Sequence, residues 1–165
     1  MRVIGIDPGI AITGIGVLDE LPDGSLCCYE YSVIRTSAGL EDPARLHSVF
    51  LKIQEVIKLV KPQEAAVERL FFQKNVKTAM QVGQARGVVI LALEMAGIPI
   101  REYTPMEVKQ AITGYGKAEK VQVQTMVKAL LNLDSIPKPD DAADALAIAI
   151  CHVNSRRFGV DANDN

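Results

Sequence analysis

Two hydrophobic periods alternate along this chain. Val3, Ile4 and Ile6 form a short β-branched run that reads as a buried strand delivering Asp7 to its end. Pro8-Gly9 forces a tight turn there, and residues 12–18 return as a hairpin partner. Gly14 and Gly16 strip bulk from one face of that partner, leaving backbone bare enough for a phosphate or metal to approach. A third strand is expected over 26–35, after the Pro22-Asp23-Gly24 turn. The period then changes. Pro43 opens a helix in which Leu46, Val49, Phe50, Ile53, Val56, Ile57 and Val60 recur at helical spacing, until Lys61-Pro62 ends it. Ala65-Ala66-Val67 is too brief for a helix and reads as a buried strand ending at Glu68. Residues 75–96 make a long helix closed by Gly97, and 99–103 a fifth strand. One shorter helix starts at Pro105, capped by Thr104, and stops before Thr113-Gly114-Tyr115-Gly116; another spans about 118–131. The last helix starts near Pro139 and reaches about Arg156. Meandering strands followed by strands alternating with helices predict an α/β fold: a five-stranded mixed sheet flanked by helices. We expect one domain over 1–158 and a polar, disordered tail over 159–165.

Composition narrows the class. At 48% hydrophobic residues the chain has a globular rather than a disordered balance. No apolar run reaches membrane-spanning length without a charge, and the N-terminus reads as a core strand rather than a signal peptide. Cys27, Cys28 and Cys151 have no metal-ligand spacing, and an odd count suits a reducing compartment, so a cytoplasmic protein is expected. The net charge of -2 does not advertise a nucleic-acid binder, but its distribution does more. Residues 19–42 carry six acids against Arg35, whereas 69–93 carry Arg69, Lys74, Lys77 and Arg86 with no acid. Residues 101–131 carry five bases against three acids. Such an arrangement steers a polyanion to one face, although solvated helix faces give similar counts.

Two strands thus end in carboxylates, Asp7 and Glu68. Asp7 alone could be an ordinary Asp-Pro-Gly turn residue. The last helix adds Asp141 and Asp144, three apart on one face, and is apolar all round beyond them. A buried helix of this kind lays its first turn against the sheet, near Asp7 and Glu68. Asp140 is explained by the helix dipole; Asp144, a turn further in, is not. Converging carboxylates raise each other's pKa unless a cation compensates. Oxygen-only ligands without His or Cys point to Mg²⁺ or Mn²⁺, and a pair of such ions polarises a phosphate for in-line attack by water.

Ile-Asp-Pro-Gly at 6–9, Val-Glu-Arg-Leu-Phe-Phe-Gln-Lys-Asn at 67–75 and Gly-Gln-Ala-Arg-Gly at 83–87 come in this order. Val-Lys-Gln-Ala-Ile-Thr-Gly-Tyr-Gly-Lys-Ala-Glu-Lys at 108–120 and Asp-Ala-Ala-Asp-Ala-Leu-Ala at 141–147 complete the set. Together they resemble the bacterial RuvC Holliday junction resolvases, over nearly the whole chain. The resemblance implies an RNase H-like fold, a homodimer, and Mg²⁺-dependent symmetric nicking of a four-way DNA junction in recombination and repair. Two ions per subunit are expected, with Mn²⁺ able to substitute, and branch-migration proteins RuvA and RuvB are the implied partners. The family's catalytic, metal-binding acids fall on Asp7, Glu68, Asp141 and Asp144, and its base-stacking aromatic on Phe71. Its basic contacts fall on Lys109 and Lys120, with Lys117 a local addition. Asp140 makes a doubled Asp where the family needs one, and Arg69 is assigned no fixed role.

Further positions stand beside these. Phe71, next to Lys74 and Lys77, suits stacking on an unpaired base, whereas Phe72 suits ordinary core. Lys74, Lys77 and Arg86 extend the expected DNA contact. Ala79, Gly83 and Gly87 recur every four residues on the long helix, at a cost of up to about 1 kcal/mol per interior glycine. A two-fold dimer contact or packing on the chain's own sheet would offset it. His152 reads as a satisfied, semi-buried side chain outside the site, and His47 shows no association with it. Three rivals remain: an RNase H-like nuclease acting on RNA–DNA hybrids or plain duplex, an actin-like ATP-binding module, and a junction-binding protein without catalysis. The length leaves no room for the second lobe of an ATPase, and the full acidic set argues against a mere binder.

Overall fold

The computed structural model describes residues 1–69, 76–157 and 159, with backbone alone for 76–78. Strand β1 (Arg2–Asp7) is the centre of a five-stranded sheet in the order β3-β2-β1-β4-β5. β2 (Ile12–Glu20) returns antiparallel to β1, pairing Asp7 with Gly14, and β3 (Leu26–Arg35) runs antiparallel to β2. Helix α1 (Asp42–Val60) leads to β4 (Glu64–Glu68), which pairs parallel with β1. After α2 (Val76–Met95), β5 (Ile100–Tyr103) extends the sheet in parallel on β4. Three helices complete the chain: α3 (Pro105–Thr113), α4 (Lys120–Leu130) and α5 (Asp140–Arg157).

Local chemistry sets these boundaries. Lys61, in the left-handed region at φ 48°, closes α1 by donating its N–H to the Ile57 carbonyl. Thr104 and Glu107 form a reciprocal capping box at the start of α3, and Gly114 ends that helix at φ 74°. The expected elements all stand, with ends shifted by a residue or two as frayed termini allow. One shift matters later: β4 starts at Glu64, a residue before the apolar run.

Strand alternation divides the core into two layers. Ile4, Ile6, Ile15, Val17, Ala65 and Val67 face α1 and α2. Val3, Leu18, Ala66 and Tyr103 face α3, α4 and α5. On that second side α5 is buried from Ala142 to Val153 except at Asp144, and Leu146, Ile148 and Ile150 each contribute about 1.5–3 kcal/mol by leaving water.

The glycines of the hairpin have a different task from the one expected. A Cβ on Gly14 would overlap the Asp141 carbonyl oxygen, and one on Gly5 the Ala145 carbonyl oxygen. A Cβ on Gly16 would meet the Leu146 backbone. The space is therefore filled by α5, not by a phosphate or metal. Bare strand backbone and an alanine-rich helix face together bring α5 unusually close to β1 and β2, which sets the height of its carboxylates over the sheet.

Candidate active site

Parity places the strand-end acids on one face. Asp7 lies two residues past Gly5, and Glu68 two past Ala66, so both carboxylates stand on the α5 side of adjacent strands. Asp141 sits directly above Gly14, the cross-strand partner of Asp7. Asp144 follows one turn along α5. The four expected acids thus converge on the seam between the strand ends and the first turns of α5.

Their electrostatics agree. Burial, then the charges of Glu68, Asp144 and Asp141, push the Asp7 carboxyl up to about 8. Burial and Asp144 raise Glu68, and burial raises Asp144 against the opposing pull of Lys120. The Lys120 ammonium, on the first residue of α4, donates to Asp144 Oδ2 at 2.8 Å and lies 3.8 Å from Asp140. Among the described residues no three His, Cys, Asp or Glu side chains are drawn into a closed ligand shell. Lys120 is the cation, among the described residues, that opposes the charge of Asp7, Glu68 and Asp144. Asp140 also accepts from Lys138 Nζ at 2.8 Å, so it faces the two lysines, outside the seam.

The donor set fits a hard divalent cation: carboxylate oxygens alone, three of them with raised proton affinity from burial and neighbouring charge. Those residues would hold Mg²⁺ or Mn²⁺ without help from imidazole or thiolate.

The remaining candidates are scattered. Lys109 is half-buried on α3. Lys117 is exposed and lines a cleft of about 660 Å³ with Tyr103, Met106, Tyr115 and Asn154, along the half of α5 remote from the acids. Arg86, expected to reach DNA, is held in an ion pair with Glu102 of β5, so its charge serves the fold. Phe71 and Lys74 lie outside the described residues, as does the side chain of Lys77. In the acidic segment, Asp19 pairs with Arg2, and Glu20 with Arg156 and Arg157. On α2, Ala79 and Gly83 are half-buried, and a Cβ on Gly87 would meet nothing within 4 Å. Packing on the chain's own sheet therefore does not account for the whole small-residue row.

His152 is the satisfied, buried side chain expected, and its partner Glu64 is the residue that sequence reasoning missed. His152 Nε2 bonds Glu64 Oε2 at 2.8 Å, and its Nδ1 meets the Tyr103 hydroxyl at 2.9 Å. Glu64 shares the strand parity of Glu68, the signal that would have found it.

A five-stranded sheet with three meandering strands, two parallel additions and an acidic seam under the closing helix defines an RNase H-like fold with a nuclease-type site. Residues 3–152 match the profile of the family described as Crossover junction endodeoxyribonuclease RuvC. A relative of that name from Brevibacillus brevis is 58% identical over 96% of this chain and 95% of its own. The Thermus thermophilus RuvC structure superposes with a TM-score of 0.89 at 38% identity, over 96% of this chain and 97% of that one. T. thermophilus RuvC in complex with Holliday junction substrate superposes at 0.87 and 36% identity, with the same coverage. The chain belongs to the RuvC family.

Proposed function

We propose that this protein is a metal-dependent endodeoxyribonuclease that resolves four-way DNA junctions by paired symmetric nicks. The observation that carries this reading is the convergence of Asp7, Glu68, Asp141 and Asp144 on one seam, where Asp7 is pushed up to about 8. Kinship with a RuvC solved on Holliday junction substrate supports the choice of DNA. Mg²⁺ ions, two per subunit and replaceable by Mn²⁺, supply charge neutralisation and polarisation of the phosphodiester when bound. Asp7 would serve both metal positions. Glu68 and Asp144 would each hold one, and Asp141 would complete the shell or orient the attacking water. Lys120, beside Asp144, balances charge on the scissile phosphate, and Lys109 supports it. Water attacks in line, leaving a 5′-phosphate and a 3′-hydroxyl. Phe71, in the segment after Glu68, stacks on a base freed at the crossover; Lys74 and Lys77 hold the adjoining backbone.

Two symmetric nicks need two sites, and α2 supports a homodimer. Met80, Leu91 and Met95 are 64%, 53% and 64% exposed and flank open Gly87 on one stripe. Branch-migration proteins RuvA and RuvB deliver the junction, in the cytoplasm. Among the described residues no helix is long and apolar enough to cross a membrane.

Incubation with a four-way junction, a linear duplex and an RNA–DNA hybrid of the same sequence tests this reading. Cleavage of the junction at least about a hundredfold faster, a difference of roughly 2.7 kcal/mol in barrier, is expected. Equal rates on the three, or preference for the hybrid, would replace it with a general RNase H-like nuclease.

A further inference from the structure

We propose that His152 and Glu64 form a positioning contact that fixes the register of α5 on β4, and thereby the spacing of Asp144 against Glu68. The inference rests on the reading that those two acids hold metal.

Glu64, Ala66 and Glu68 lie on the same face of β4, under α5. From Glu64 to Glu68 is four strand residues, about 13 Å. From Asp144 to His152 is eight helical residues, about 12 Å on one face. The helix and strand run in opposite senses, so the two intervals coincide. When His152 meets Glu64 at 2.8 Å, Asp144 is carried over Glu68. The electrostatic influence of Asp144 on Glu68 marks that second approach.

Arg156 and Arg157 also tie α5 to the sheet, through Glu20 of β2, whereas His152 ties it to β4, the strand that carries Glu68. Over the hairpin glycines α5 is met by the backbone of Asp141, Ala145, Leu146 and Ala149, which gives close approach but few interlocking side chains there. Directional hydrogen bonds supply what smooth packing lacks. His152 is 4% exposed and both its ring nitrogens are occupied. Nε2–H donates to the Glu64 carboxylate, and Nδ1 accepts from the Tyr103 hydroxyl. Tyr103 pairs with Glu68 in the β4–β5 register, so the ring ties α5 to both strands that border the site.

The test measures Mn²⁺ binding to DNA-free protein, from loss of the free-ion EPR signal, beside the Mg²⁺ half-saturation of junction cleavage. Glu64→Ala alters the half-exposed end of the contact. It should weaken Mn²⁺ binding by about tenfold and raise the Mg²⁺ requirement equally, the low end for a group that supports metal ligands. Its rate at saturating metal should stay within about threefold of wild type. His152→Gln keeps a donor near the Nε2 position and should retain most of the affinity. His152→Asn reaches only towards Tyr103 and should match Glu64→Ala. Wild-type Mn²⁺ affinity in Glu64→Ala and His152→Asn would overturn the proposal, as would equal losses in His152→Gln and His152→Asn. Asp144→Asn separates this from the broader reading. If it too binds Mn²⁺ like wild type, the metal site itself is misassigned; if it alone loses binding, only the register role fails.

Discussion

Asp7 holds a proton near neutral pH in the metal-free fold, because burial beside Glu68, Asp144 and Asp141 pushes its carboxyl up to about 8. The unfolded chain releases that proton near its ordinary value of 3.8. The folded state thus binds more protons between roughly pH 4 and pH 8, so its stability falls as pH rises through that window. Glu68 and Asp144 are raised too and act in the same sense. Metal-free protein should therefore show a higher denaturation midpoint at pH 6 than at pH 8. Asp7→Asn should remove most of that difference, with a gain at pH 8 on the order of a few kcal/mol. Chemical denaturation of both proteins in EDTA at the two pH values checks it, and a wild-type midpoint that rises with pH would contradict it. A second residue-scale prediction concerns Phe71. Stacking on a freed base contributes about 1–3 kcal/mol, so Phe71→Ala should slow cleavage of a matched junction roughly tenfold or more while binding weakens much less. A junction with mismatches at the crossover is already open, and the mutant should recover most of its rate there. Single-turnover rates on the two junctions give the comparison; an equal defect on both would make Phe71 a packing residue.

The seam exists because α5 lies close on the hairpin, and Gly14 is its tightest point. Gly14→Ala forces a methyl group against the Asp141 backbone, which should cost about 1–3 kcal/mol of stability and move Asp141 away from Asp7. Cleavage should then fall more than the stability loss explains, measured well below the melting temperature. A stable variant with full activity would show that the helix height is not critical. At this scale much was legible beforehand. Switches between periods of two and 3.6 marked the elements, Gly and Pro marked their ends, and both strand-end acids followed from parity. The task of Gly14 and Gly16 was not legible, because a bare strand face does not say which element will cover it. Arg86 looked free since its partner Glu102 is 16 residues away on another element. His152 and Glu64 are 88 residues apart, and only the packed helix brings them together.

Symmetric nicking belongs to the whole molecule. If the α2 stripe joins two copies, Leu91→Glu should shift sedimentation towards monomer and uncouple the paired nicks. As an exposed substitution it should change subunit stability by no more than about 0.5 kcal/mol. A dimer that persists would place the contact elsewhere. The acidic seam itself is tested most directly by following binding and cleavage of one labelled mobile junction, with Mg²⁺ and with EDTA, for wild type and Asp7→Asn. Wild type should bind in both conditions and cut only with Mg²⁺, at paired symmetric positions. Asp7→Asn should bind as well and cut in neither. Cutting by wild type in EDTA, or by Asp7→Asn at the wild-type rate, would contradict the account.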